Sequence, residues 1–151
     1  MDMLLNCLCA ALTSVGFAIV FELRRWQHIV AAAIAGAVSW WVYLLTADLM
    51  GVVGRNFVAT VAVALLAEIF ARMFKAPASV FLITGIIPLV PGGGLYYTMD
   101  ALIDGNMVLF AQKGIEAASV AGAIAAGSSL VSSVVRILPR RKRKINKQET
   151  S

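Results

Sequence analysis

Seven residues, Pro88 to Gly94, hold two prolines and three consecutive glycines inside an otherwise apolar stretch. Proline has no backbone N–H, so Pro88 and Pro91 leave the carbonyls of Thr84 and Ile87 without helical partners, and three glycines in a row are poor helix residues. A helix that enters this stretch must break. The half that resumes near Gly94 or Leu95 would present free N–H groups and the positive end of its dipole, an arrangement suited to a carboxylate. The half before it would present free carbonyls for an ammonium group, a proton-bearing group or water. Glycine lets a ligand approach the backbone, and Tyr96, Tyr97 and Thr98 bring hydroxyls nearby. The candidate substrate-binding set is therefore Thr84, Pro88, Pro91, Gly92, Gly93, Gly94 and Tyr96. A kinked helix without a ligand is the plainer alternative.

Glu68 is the one acid well inside an apolar stretch, and Arg72 follows it at i+4, the favourable order for a helical ion pair. An acid in hydrocarbon is costly unless it is paired or used, so the two readings are a structural ion pair with Arg72 and a proton-coupling carboxylate. The only histidine, His28, falls at the edge of a span and reads as an interfacial residue. Cys7 and Cys9 lie two apart, on different faces of a helix, and read as packing residues rather than a disulfide or a metal site. Metalloprotease, nucleophile-elbow, Walker and paired-carboxylate motifs do not occur, so no catalytic residue, metal site or cofactor is assigned.

The elements that must position these residues follow from composition. The 151 residues are 60% hydrophobic and only 14% charged, and the mean hydropathy is +0.85. A soluble domain of this length needs far more polar surface. Each bilayer span takes about 20 apolar residues, and five segments qualify: 4–21, 29–46, 57–74, 79–102 and 115–138. The expected fold is an all-α membrane protein of about five spans, the fourth broken at the Pro-x-x-Pro-Gly-Gly-Gly motif. Residues 1–138 form the transmembrane domain and 139–151 a basic cytoplasmic tail. Connectors fall at 22–28, 47–56, 75–78 and 103–114 and leave no room for a separate catalytic domain. The first segment carries Asp2 where a signal peptide has positive charge, and it reads as a retained helix.

The net charge of +5 comes largely from the last residues, Arg140 to Lys144, which suit anionic lipid headgroups on the cytoplasmic side. No folded basic module accompanies them, which argues against nucleic acid. A cytoplasmic C-terminus and an external N-terminus place eleven of the thirteen cations inside, leaving only Arg55 and Lys113 outside. Two ladders of small residues run along the fifth segment, Ala118-Gly122-Ala126 and Ser119-Ala123-Gly127, and Ala32 and Gly36 do the same in the second. Small residues at this spacing let helices approach closely in lipid, so the fifth segment is expected to pack on protein over much of its surface, part of it another chain.

Three stretches carry a family resemblance. They are Gly85-Ile-Ile-Pro88-Leu-Val-Pro91-Gly92 followed by Tyr96, Gly16-Phe-Ala-Ile-Val-Phe21, and Glu68 to Arg72 ahead of Pro77. The chain resembles the threonine/serine exporter family, and within it the short five-helix half encoded separately in split, two-subunit systems such as the bacterial succinate exporter. The resemblance implies a multi-pass protein of the bacterial inner membrane that exports serine- or threonine-type amino acids or a dicarboxylate such as succinate. It also implies a hetero-oligomer with a larger membrane subunit that supplies another five-helix half, giving the inverted repeat common among secondary transporters. A homo-oligomeric channel or scaffold is the alternative.

Overall fold

The computed structural model describes residues 2–23 and 25–137, so Arg24 and the basic tail lie outside the described residues. The described chain is helical: α1 (Asp2–Val20), α2 (Trp26–Leu45), α3 (Val52–Phe74), α4 (Ala78–Ile86), a 3₁₀ turn (Ile87–Leu89), α5 (Gly92–Ile103) and α6 (Met107–Ile137). Helices α1, α2, α3 and α6 are each long and apolar enough to cross a membrane. The segments Ala78–Leu89 and Gly92–Ile103, bent by 49° at their junction, make a fifth span if counted as one.

Burial is distributed as lipid demands. Large apolar residues such as Leu8, Ile34, Ile69, Ile103 and Ile137 face outward, while the interior is built from Ala18, Ala32, Ala35, Ala59, Ser14 and Ser39. Hydrocarbon provides no drive to hide leucine, so close backbone approach through small residues holds the bundle. A Cβ on Gly36 would overlap Ser14 of α1, and one on Gly85 would lie 2.6 Å from Val63 Cγ1 and 3.0 Å from Ala35 Cβ. Gly127 similarly brings α6 onto α3, where an added Cβ would sit 3.1 Å from the Phe57 carbonyl. Toward the other end of α3 the packing turns aromatic, with Phe70, Phe74, Phe81 and His28 in mutual contact.

Local chemistry sets the ends. Lys75 takes a left-handed conformation (φ 53°) and donates its N–H to Ala71, closing α3. Gly105 (φ 73°) turns the chain between α5 and α6, and Asn106 Oδ1 then accepts the Leu109 N–H at 3.1 Å, an N-cap for α6.

The structure corrects two expectations here. First, α6 begins at Met107 rather than residue 115 and reaches 31 residues, so the expected connector at 103–114 shrinks to a short turn. Gln112, Lys113 and Glu116 lower the hydropathy of this region, yet all are good helix formers and Asn106 supplies the cap. At ~1.5 Å per residue α6 is about 46 Å long, well over the ~30 Å hydrocarbon core. Second, the three glycines do not interrupt the helix. They form the first turn of α5, where the N–H groups have no helical partners in any case and glycine's weakness costs least.

Candidate functional site at the helix break

The break occupies only Val90 and Pro91. Pro88 sits at the start of the 3₁₀ turn, where its missing N–H is harmless, and the Val90 N–H closes that turn on the Ile87 carbonyl at 3.2 Å. Pro91 (φ −76°, ψ 55°) makes an inverse γ-turn in which the Gly92 N–H reaches the Val90 carbonyl at 2.7 Å. Helix α5 then starts with the Leu95 N–H donating to Pro91 at 3.0 Å. Two donors are left over: among the described residues the N–H groups of Gly93 and Gly94 find no backbone acceptor, and no backbone donor reaches the carbonyls of Pro88 and Leu89.

These groups border a cavity of about 320 Å³. One wall is the break itself, Pro88 through Gly94, with Tyr97 a turn later. Trp40 and Tyr43 enter from the end of α2, Val52 and Asn56 from the start of α3, and Lys113, Glu116, Ala117 and Val120 from α6. The α5–α6 pairing sets this register: a Cβ on Gly94 would lie 3.4 Å from Ala117 Cβ, and one on Gly114 3.5 Å from Thr98 Cγ2. Lys113 Nζ meets Glu116 Oε2 at 3.2 Å with both side chains about half exposed. A pair this accessible contributes well under about 1 kcal/mol, so a ligand that offers better partners separates it easily. It is the one ion pair among the described residues.

Of the residues expected from sequence, Pro88, Pro91, Gly92, Gly93 and Gly94 line this cavity, and Thr84 and Tyr96 do not. Thr84 is fully buried one turn earlier, and its Oγ1 donates to the Val80 and Phe81 carbonyls at 3.0 and 3.2 Å. Its own carbonyl, the one Pro88 frees, accepts a 2.9 Å hydrogen bond from Ser14 Oγ and is enclosed with the rest of this fully buried residue, away from the cavity. Tyr96 is 65% exposed on the outer face of α5, where its ring meets Tyr97 edge-on. Trp40, Tyr43, Asn56, Lys113 and Glu116 line the cavity but are not in the site set expected from sequence. Glu68 is half-buried and Arg72 exposed on α3, with no bridge between them among the described residues and neither at the cavity.

The depth of the site also differs from expectation. Counted along its own segment the break is central, which suggests the bilayer midplane. Its neighbours say otherwise: Tyr43 is near the end of α2 and Asn56 near the start of α3, so the cavity lies toward the α2–α3 connection. The reason is the bend, which sends α5 off to pack almost entirely on α6 rather than along α2 and α3.

A family model described as threonine/serine exporter matches residues 6–134, a span that includes every residue of the cavity. The chain belongs to the threonine/serine exporter family. This is a family of transporters rather than enzymes, and the chain is a membrane protein by its helices as well. No curated protein and no solved structure matches it. Within this exporter family the broken helix is thus part of a transport protein, and the chemistry to be accounted for is reversible binding. Two N–H donors at a helix start, an ammonium, a carboxylate and two free carbonyls around one cavity can bind a ligand with both signs of charge.

Proposed function

We propose that the chain is a subunit of a secondary transporter that exports small α-amino acids of the serine/threonine type, held as zwitterions at the helix break. The carboxylate sits at the Gly93 and Gly94 N–H groups, with Lys113 as counter-charge. The ammonium sits at Glu116 and the free carbonyls of Pro88 and Leu89. The observation that carries this reading is the convergence of unpaired N–H groups with Lys113 and Glu116 on one cavity. A dicarboxylate such as succinate fits less well, because its second carboxylate would meet Glu116.

Charge substitutions test this directly. Lys113→Met should weaken amino-acid and succinate export alike, by about tenfold for one charge-assisted contact. Glu116→Gln should weaken amino-acid export and leave succinate unchanged or improved. A Glu116→Gln variant that exports serine normally would show that the ammonium is bound elsewhere.

The partner in this reading is a larger membrane subunit of the same family, since five spans are half an inverted repeat. Support comes from α6, where Ala118, Gly122 and Ala126 are exposed and an added Cβ on Gly122 would meet nothing. Gly122→Leu should reduce co-purification of the larger subunit; unchanged recovery would place the interface elsewhere. The orientation proposed, in the bacterial inner membrane, keeps the C-terminus cytoplasmic, and a reporter fused at Ser151 that works only outside would reverse it. Glu68 is retained as a proton-coupling candidate: Glu68→Gln should flatten the pH dependence of export if it couples protons, and leave that dependence intact if it does not.

A further inference from the structure

Arg55 is the fourth residue of α3, where a cation works against the positive end of the helix dipole. It has no carboxylate partner among the described residues. Its contacts reach outside its own helix. The Nε–H donates to the Met50 carbonyl at 2.8 Å and an Nη2–H to the Ala47 carbonyl, so one guanidinium spans the α2–α3 connection. The same group stands over the Tyr43 ring, 5.9 Å from its centre, within cation–π range. Tyr43 is stacked on Trp40, with centroids 5.1 Å apart and planes 26° apart. Arg55, Tyr43 and Trp40 therefore form one stack, whose two rings line the cavity while Arg55 does not.

The far end of this stack carries an imbalance. Trp40 Nε1–H is buried and has no acceptor among the described residues, and a buried unpaired donor is unfavourable. The indole would gain by any turn that brought this N–H to water. Its packing on the cluster of Ala59, Leu89, Val120 and Ile124, shared with Tyr43, is apolar and non-directional. The directional restraint is the stack: Tyr43 covers a face of the indole, and Arg55 holds Tyr43 while anchored to two main-chain carbonyls.

We infer that Arg55 is a positioning residue for the cavity: it holds Tyr43 against Trp40 and so fixes the wall that α2 contributes, without touching the ligand. This rests on the reading that the cavity binds the exported metabolite. A wall in place for only part of the time lowers apparent affinity by that fraction and leaves the turnover of bound ligand alone. Capping of the α2–α3 connection by itself would act on folding and not on affinity.

Two measurements on the assembled full-length protein test this. The first needs no substrate: acrylamide quenching of Trp40 fluorescence in a Trp26→Phe, Trp41→Phe background, taken as the difference from the same protein with Trp40→Phe. Arg55→Met, close in length but unable to donate, should raise the quenching constant about twofold or more as the indole loses its restraint. The second is L-serine efflux from native membrane vesicles, where Arg55→Met should raise KM about fivefold with kcat within about twofold of wild type. Arg55→Lys keeps a cation over Tyr43 but not the fork that reaches two carbonyls, so it should fall between, and it carries both measurements if Arg55→Met fails to assemble. In a Tyr43→Leu background Arg55→Met should add almost nothing to KM, because the ring it acts through is gone. An undiminished increment in that background would overturn the inference, as would unchanged quenching or unchanged KM in assembled protein. Absence of chain-dependent serine efflux from wild-type vesicles would overturn the amino-acid reading instead, and the quenching result then decides by itself whether Arg55 holds the wall.

Discussion

The two ends of this bundle share two elements, α2 and α3, and use them to opposite effect. At one end Phe81 is fully buried between Phe70 and Phe74, with ring centroids 5.9 to 6.0 Å apart, and His28 meets Phe81 edge-on at 5.6 Å. Here the rings pack on one another. At the other end the main chain turns away at Pro91 before its side chains fill the gap, and what remains is a cavity walled by backbone, amide, ammonium and carboxylate groups. A cavity can therefore be made in a membrane bundle without thinning its core, by redirecting one helix. With the C-terminus inside, as proposed, the aromatic end faces the cytoplasm and the cavity faces outward.

Restoring the helix should abolish the contrast most completely. Pro88→Ala combined with Pro91→Ala lets α4 run on into α5 and returns the Gly93 and Gly94 N–H groups to intrahelical partners. Export should fall by about a hundredfold or more, the loss of two or more charge-assisted hydrogen bonds, while membrane insertion is retained. Wild-type export from a correctly assembled protein would reduce the break to a kink. Next in size is Phe81→Ala at the packed end, expected to cost about 3–5 kcal/mol in a detergent melting experiment with no change in the substrate affinity of the protein that stays assembled. A changed affinity would mean that the two ends are not separable. Gly93→Ala sharpens the comparison from the cavity side. An added Cβ there meets nothing within 4 Å, so stability should stay within about 0.5 kcal/mol, yet substrate affinity should drop because the methyl stands where a ligand meets the backbone. Unchanged affinity would remove the Gly93 N–H from the site. Least affected should be Tyr96→Phe, since its ring lies on the outer face of α5; export within about twofold of wild type is expected of an exposed substitution.

Much of the architecture was legible because it depends on local pattern. Apolar runs of spanning length located the helices, and the absence of an N–H at Pro88 and Pro91 located the break. What local pattern misjudged was continuity. Lys113 falls in the expected connector at 103–114 and Glu116 just inside the expected fifth span, and only the packing of α6 on α5 reveals one continuous helix whose flank is the cavity wall. Asn56 was taken into a loop for the same reason, although it is the second turn of α3. Trp40 and Tyr43 reach the cavity from α2 through helix packing, which hydropathy does not report. Thr84 shows the reverse failure. Sequence correctly predicted that its carbonyl loses a helical partner, but the replacement comes from Ser14 on α1, and no local pattern couples those two positions.

That replacement ties three positions into a single inheritance. Ser14 serves the Thr84 carbonyl that Pro88 leaves without a helical donor, and Ser14 has room only while residue 36 has no side chain. Alanine at 14 is harmful in a chain with proline at 88, because a buried carbonyl goes unserved; it is nearly neutral once residue 88 brings its own N–H. Ser14→Ala and Pro88→Ala should accordingly be far from additive.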